Sequence, residues 1–311
     1  MSSGARSHTA PPPADRAPMT LPRLAEMKAA GEPIVMVTAY DYPSATVAEA
    51  AGVDVVLVGD SAAMVVLGYP GTEPVSMEEM IVLGKAVRRG LKTPLMVGDM
   101  PMGSYEASNE LAVQNAQRLV KETGCQTVKL EAGGLSVERA RAIVRAGIPV
   151  MGHVGLTPQT ATALGGYKAQ GKSAQSAIKL LEEALALQSV GCFAIVFEAV
   201  PAAIAEAIVE KLEVPTIGIG AGPATTGQVL VFHDLLGITT GRMAKFVKRY
   251  ADVHATMVDA VRRYGEEVRS RHFPEPEHVY SVEPAELAEF RRYLEQESLV
   301  SKKAWDWEPL P

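Results

Sequence analysis

Five residues carry the chemistry this chain could do: Asp60, Asp99, Lys129, Glu131 and Glu198. Each stands in or just after a short apolar run. Val55-Val56-Leu57-Val58 leads to Asp60, Leu95-Met96-Val97 to Asp99, Val128-Lys129-Leu130 to Glu131, and Phe193 through Phe197 to Glu198. Two further runs, Val150-Met151 and Thr216-Ile217-Gly218-Ile219, close on His153 and on glycines. A buried strand that stops at an acid presents it at one end of a sheet, and several such strands together make the floor of an active site. Two carboxylates ~4 Å apart repel by about 4 kcal/mol at an effective dielectric near 20, so three mutual pairs cost roughly 12 kcal/mol. That rivals the ~5–15 kcal/mol that holds a domain together. Asp60, Asp99 and Glu131 therefore require protonation or a cation. An all-oxygen set with room for water suits Mg²⁺, which takes one or two carboxylates directly and leaves another to bind through water.

Lys129 lies two residues before Glu131, so both point to one face of a strand. A lysine facing an interior needs carboxylates or an anionic substrate beside it. Ser61 offers a hydroxyl or backbone N–H to a substrate carboxylate, and equally a cap to a helix. Glu198, after an apolar strand, is placed to act as a base near neutrality. Any single acid reads better as a helix cap, but three consecutive strands ending in acids, with Glu198 beyond them, move the balance to function. His153 reads either as a hydrogen-bonding site residue or as a satisfied core histidine, and His233 and Asp234 read as structural. Gly218, Gly220 and Gly222 permit close backbone approach to a ligand without the G-x-G-x-x-G spacing of dinucleotide sites. Gly165 to Gly171 has the composition of a lid or of an inert connector.

The elements that must position these residues alternate. Strand-like runs cover 34–40, 54–59, 94–98, 126–131, 148–153, 193–198, 214–219 and 228–233, separated by helical periods such as Ile178, Leu181, Leu185 or by loops long enough to cross over. Eight units in about 230 residues predict an α/β fold closed as a (β/α)8 TIM barrel, whose active site forms where the strands end. Residues 1–18, with Pro11-Pro12-Pro13, read as a disordered leader; 19–278 as the catalytic barrel; and 279–311 as a tail. In that tail Leu287, Phe290 and Leu294 mark a short amphipathic helix, a C-terminal extension that clasps the barrel or meets another subunit.

Of 311 residues, 47% are hydrophobic, enough for a large core, and the formal charge is −6 with 5% aromatics. That excludes a nucleic-acid surface, which needs clustered cations and stacking rings. No apolar stretch approaches the ~20 residues of a membrane span. Cys125 and Cys192 read as buried free thiols of a reducing compartment, and the expected location is cytoplasmic.

The stretches TAYDY (38–42), VGDS (58–61), VKLEAG (128–133), GHVGLTPQ (152–159), GGYKAQG (165–171), FEAVP (197–201) and IGIGAG (217–222) resemble, in order, those of the ketopantoate hydroxymethyltransferases. The likeness runs from Thr20 to His278; VGDMPMGSY after the third strand departs from the family's text but keeps Asp99 and Pro101 in place. It implies a barrel of the phosphoenolpyruvate/pyruvate type, with Asp60 and Asp99 binding Mg²⁺ directly and Glu131 completing the metal site. Asp60, Ser61, Asp99 and Lys129 would hold the keto acid, 3-methyl-2-oxobutanoate, and Glu198 would accept its proton. The co-substrate would be 5,10-methylenetetrahydrofolate, the product 2-dehydropantoate, and the assembly a homo-oligomer, a homodecamer built as a pentamer of dimers. Two other readings stay open. A Mg²⁺-dependent lyase or mutase of the phosphoenolpyruvate/isocitrate type would use the same barrel, although no Lys-Lys-Cys-Gly-His-like segment occurs. A non-catalytic metabolite-binding or assembly module would tolerate Glu198→Gln.

Overall fold

The computed structural model describes residues 16–131, 135–161, 166, 168–241 and 243–296. Residues 1–15 of the expected leader, 165 and 167 of the glycine-rich segment and the end of the tail lie outside them. Two compact units divide at His254 and Ala255.

In the first unit eight parallel strands close into a barrel in chain order: β1 Ile34–Thr38, β2 Val55–Val58, β3 Leu95–Asp99, β4 Thr127–Glu131, β5 Val150–Gly155, β6 Ala194–Glu198, β7 Thr216–Ile219 and β8 Gly227–Leu230. β8 pairs back onto β1 with Val35 opposite Gln228. The helices are α1 Leu21–Ala30, α2 Tyr42–Ala51, α3 Ala62–Val65, α4 Met77–Gly90, α5 Asn109–Thr123, α6 Ser136–Arg145, α7 Ala174–Ser189, α8 Ala202–Val209 and α9 Phe232–Leu235. α10, Val253–Ser270, runs into the second unit, which also holds α11, Pro284–Gln296. Among the described residues no helix is long and apolar enough to cross a membrane.

Local chemistry explains where the helices begin. Ser76 and Glu79 form a reciprocal capping box at the start of α4, with side-chain and backbone donors satisfied in both directions. Thr20 caps α1, and Gly31 ends it in the left-handed region at φ 66°.

Strands β2 to β7 are buried on both faces, which is why their sequences are continuous apolar runs rather than alternating ones. Alternate residues nevertheless go to different cores. Val56, Val58, Met96, Val128 and Leu130 pack outward among the helices, whereas Val55, Leu57, Leu95, Val97, Met151, Ala194 and Val196 fill the barrel with Leu24 and Met27 of α1. The inward parity of Val97, Met151 and Val196, carried one step along each strand, falls on Asp99, His153 and Glu198. Thr127, Lys129 and Glu131 share one parity on β4 and are buried.

Two details depart from eight uniform units. Residues 220–226 return the chain from β7 to β8 without a helix, held by the Gln228 amide donating to the Gly222 carbonyl at 2.9 Å. The outer face of β1 is consequently open at Val35, which is 52% exposed. β8 also stops at Leu230, and the apolar residues Val231 and Phe232, expected to continue the strand, lead into α9.

Candidate active site

Asp60, Ser61, Asp99, Lys129, Glu131, His153 and Glu198 line one cavity of about 1220 Å³ at the end of the barrel where the strands finish. A second cavity, of about 860 Å³, lies against Lys28, Val35 and Gln228 and carries none of these acids. None of the four acids caps a helix. The caps of α3, α5, α6 and α8 are Ser61, Ser108, Leu135 and Pro201, which removes the structural alternative for Asp60, Asp99, Glu131 and Glu198.

The acid floor is built by register. Asp99 and Lys129 are neighbours across β3 and β4, and the Lys129 ammonium Nζ lies 2.7 Å from Asp99 Oδ1. The Asp60 backbone N–H donates to Asp99 Oδ2 at 3.1 Å, which draws the residue just past β2 onto the neighbouring strand end. Burial pushes the Asp99 carboxyl up from the ordinary aspartate range, with Lys129 opposing and Asp60 adding to the rise. Burial pulls the Lys129 ammonium down, but Asp99, Asp60 and Glu131 more than restore it, so it stays charged. Burial likewise raises Glu131, against the pull of His153.

His153 stands between two acids. Its Nδ1 is 3.6 Å from Glu131 Oε1, and its Nε2 is 3.3 Å from Glu198 Oε2. These are ion-pair separations rather than hydrogen bonds, and neither ring nitrogen has a hydrogen-bond partner among the described residues. Burial and Lys129 lower the imidazole, the flanking carboxylates outweigh them, and it rises to about 9.

The backbone around Glu198 is closely constrained. Its carbonyl accepts from the Leu156 N–H at 2.8 Å, and Gly155, at φ +97°, passes so near that an added Cβ would lie 2.3 Å from that carbonyl oxygen. Only glycine fits there. Ala199, the next residue, takes a left-handed φ of 50°, a conformation a non-glycine residue holds at a cost of order 1–3 kcal/mol. The Gln170 N–H donates to the Ala199 carbonyl at 2.9 Å, tying the end of the glycine-rich segment to the residue after Glu198. Glu198 itself borders His153 and the cavity; its side chain is 15% exposed.

Ser61 precedes α3 but makes no side-chain cap. Its hydroxyl pairs at 2.9 Å with that of Tyr40, a fully buried residue whose ring lies 5.4 Å from His233. Asp234 lines the cavity, while His233 packs between Tyr40 and Phe232, and burial lowers its imidazole. Tyr40, Tyr105 and Gln159 are site neighbours that sequence reasoning did not single out. Being neutral, they leave no charge pattern, and Gln159 reaches a partner 99 positions away in the chain.

The donor set fits a hard divalent cation. It is all carboxylate; Asp99 Oδ1 is met by the Lys129 ammonium at 2.7 Å, while Glu131 Oε1 is buried without a hydrogen-bond partner among the described residues. The three acids are not drawn together as tightly as exposed Glu275, Glu277 and His278, whose ligand atoms all lie within 4.8 Å of one another. Since Mg²⁺ binds oxygens at ~2.0–2.1 Å, two direct ligands cannot be more than about 4.2 Å apart, so the three acids as placed could not all bind one such ion directly.

A model of the ketopantoate hydroxymethyltransferases matches residues 18–276. The 3-methyl-2-oxobutanoate hydroxymethyltransferase of Carboxydothermus hydrogenoformans is 55% identical over 86% of this chain and 96% of its own length. Its mitochondrial counterpart from Arabidopsis thaliana is 50% identical over 89% and 82%. Among solved structures, a phosphonopyruvate hydrolase complexed with oxalate and Mg²⁺ superposes with a TM-score of 0.54 at 13% identity, covering 92% of this chain and 99% of that one. Oxaloacetate acetylhydrolase with 3,3-difluorooxalacetate gives 0.55 at 15% identity, covering 94% and 100%. These two share the barrel fold with this chain. The chain belongs to the ketopantoate hydroxymethyltransferase family.

Proposed function

We propose that this protein transfers a hydroxymethyl group from 5,10-methylenetetrahydrofolate to 3-methyl-2-oxobutanoate, forming 2-dehydropantoate and tetrahydrofolate. The observation that carries this reading is the meeting of Asp60, Asp99, Lys129, Glu131 and Glu198 around one cavity, in a chain of this family. The lyase or mutase alternative rests on fold alone, at 13–15% identity.

Asp60 and Asp99 would hold Mg²⁺, with Glu131 completing its surroundings. When bound, the ion supplies Lewis-acid stabilisation for charge growing on the keto oxygen of the substrate. Lys129, buried and charged, offsets the same charge and attracts the substrate carboxylate. The Ser61 hydroxyl, fixed by Tyr40, is left to orient that carboxylate. Glu198 takes the proton from C3, held in position by the Leu156 N–H on its carbonyl and by His153 beside its side chain. The C3 carbanion equivalent then attacks the methylene carbon of the folate, forming a C–C bond as one of that carbon's two C–N bonds breaks; water displaces the second nitrogen and leaves its OH on the carbon, and tetrahydrofolate departs with its two nitrogens carrying the proton from C3 and the proton from water. Preorganised charges in a site shielded from bulk water are worth more than the same charges in solution.

The test is product formation. Purified protein incubated with both substrates and Mg²⁺ should yield 2-dehydropantoate by mass spectrometry, and chelation should abolish it. Folded protein that makes no product with Mg²⁺ present would refute the assignment.

A further inference from the structure

Gln159 lies in the 3₁₀ turn Pro158–Thr160 after β5 and is 3% exposed. Its backbone N–H donates to Glu131 Oε2 at 3.1 Å. Its side-chain Nε2 donates to Asp60 Oδ2 at 2.9 Å and to the Met100 carbonyl at 3.0 Å. Its Oε1 accepts from the Tyr105 hydroxyl at 2.7 Å. This network fixes the amide's orientation: turned over, Oε1 would face two acceptors with no proton between them. Burial keeps Tyr105 protonated and therefore a donor.

The consequence falls on the acids. One oxygen of Asp60 and one of Glu131 are held by Gln159, and Asp99 Oδ2 is held by the Asp60 N–H. A carboxylate with an N–H on one oxygen presents the other as a single ligand. Mg²⁺ takes single oxygens in a tight octahedron, whereas Ca²⁺ takes 6–8 oxygens at longer distance and readily uses both oxygens of a carboxylate.

We infer that Gln159 is a positioning residue that makes Asp60 a one-oxygen ligand and so biases the site toward a small octahedral cation over a larger one. This rests on the reading of Asp60, Asp99 and Glu131 as a divalent-metal site. Glutamine suits the position because asparagine is one carbon too short to span Asp60 and Tyr105, while glutamate would set a second carboxylate against Asp60.

The experiment is calorimetric titration of Mg²⁺ and of Ca²⁺ into metal-free, full-length protein without substrate, for the wild type, Gln159→Met and Gln159→Asn. Methionine keeps the volume and removes the donors. Asparagine keeps an amide out of reach and carries the comparison if the methionine variant does not fold. Loss of partners behind a metal ligand typically weakens metal binding about 10–100-fold. Mg²⁺ affinity should fall within that range while Ca²⁺ affinity holds or rises, moving the Mg²⁺-to-Ca²⁺ ratio by about tenfold or more. Equal weakening of both cations, or an unchanged ratio, would overturn the inference and leave Gln159 a packing residue. A wild type that binds neither cation would overturn the metal site itself and the inference with it.

Discussion

Removing the buried lysine gives a demanding test of the acid floor. Lys129 Nζ and Asp99 Oδ1 are 2.7 Å apart, and the two side chains are 4% and 1% exposed. At an effective dielectric near 20 that attraction is about 6 kcal/mol before desolvation is charged against it. Deleting one member of a buried pair typically costs 3–5 kcal/mol, because the other is left uncompensated. Lys129→Met should therefore lower the unfolding free energy of metal-free protein by about 3–5 kcal/mol, measured by urea denaturation in a chelator. The loss should shrink with Mg²⁺ present, since a cation at the acid floor supplies the variant with the positive charge that Lys129 gives the wild type and so stabilises the variant more. A pH dependence accompanies it. Asp99 is raised by burial, and Lys129 is what opposes that rise, so in the variant Asp99 holds its proton to still higher pH. Mg²⁺ binding by the variant should then strengthen as pH rises, more steeply than in the wild type. A stability loss under about 1 kcal/mol, with an unaltered pH profile, would mean that the pair is not the electrostatic keystone its geometry implies.

Two further outcomes follow from the surroundings of Glu198. Gly155→Ala forces a Cβ against the Glu198 carbonyl, so kcat should fall and Tm should drop, and an unchanged kcat would show that the close approach does not position Glu198. His153 has a folded-state value raised from 6.5 to about 9, so its contribution to stability is fully present below 6.5 and lost as pH rises toward 9. In metal-free protein the stability of the wild type should fall across that window more than that of His153→Gln; parallel slopes would remove the imidazole from the ion-pair network.

Much of this architecture was legible because barrel strands buried on both faces read as unbroken apolar runs, and the residues that end them sit at the mouth. Seven strands fall within a few residues of the expected runs. The two-residue spacing of Lys129 and Glu131 puts both on one face of β4, and both are buried. β8 was overrun because Val231-Phe232 is equally apolar as strand or as the start of a buried helical turn. Gln159, Tyr105 and Tyr40 stayed silent because a neutral polar residue acquires meaning only from partners that folding brings to it. Pro158, which opens the turn carrying Gln159, is a local signal, and Gln159 closes the motif GHVGLTPQ (152–159). Glu198 follows an apolar run, yet parity turns it inward beside His153, away from the outward-packed Phe197.

The role of Glu198 can be isolated from folate and from product chemistry. Deuterium exchange at C3 of 3-methyl-2-oxobutanoate, followed by NMR with Mg²⁺ and no folate, reports proton abstraction alone. The wild type should exchange, and Glu198→Gln should exchange slower by about 10²–10⁴-fold while still binding the keto acid with Mg²⁺. Exchange in the variant at the wild-type rate would contradict the assignment of Glu198 as the base.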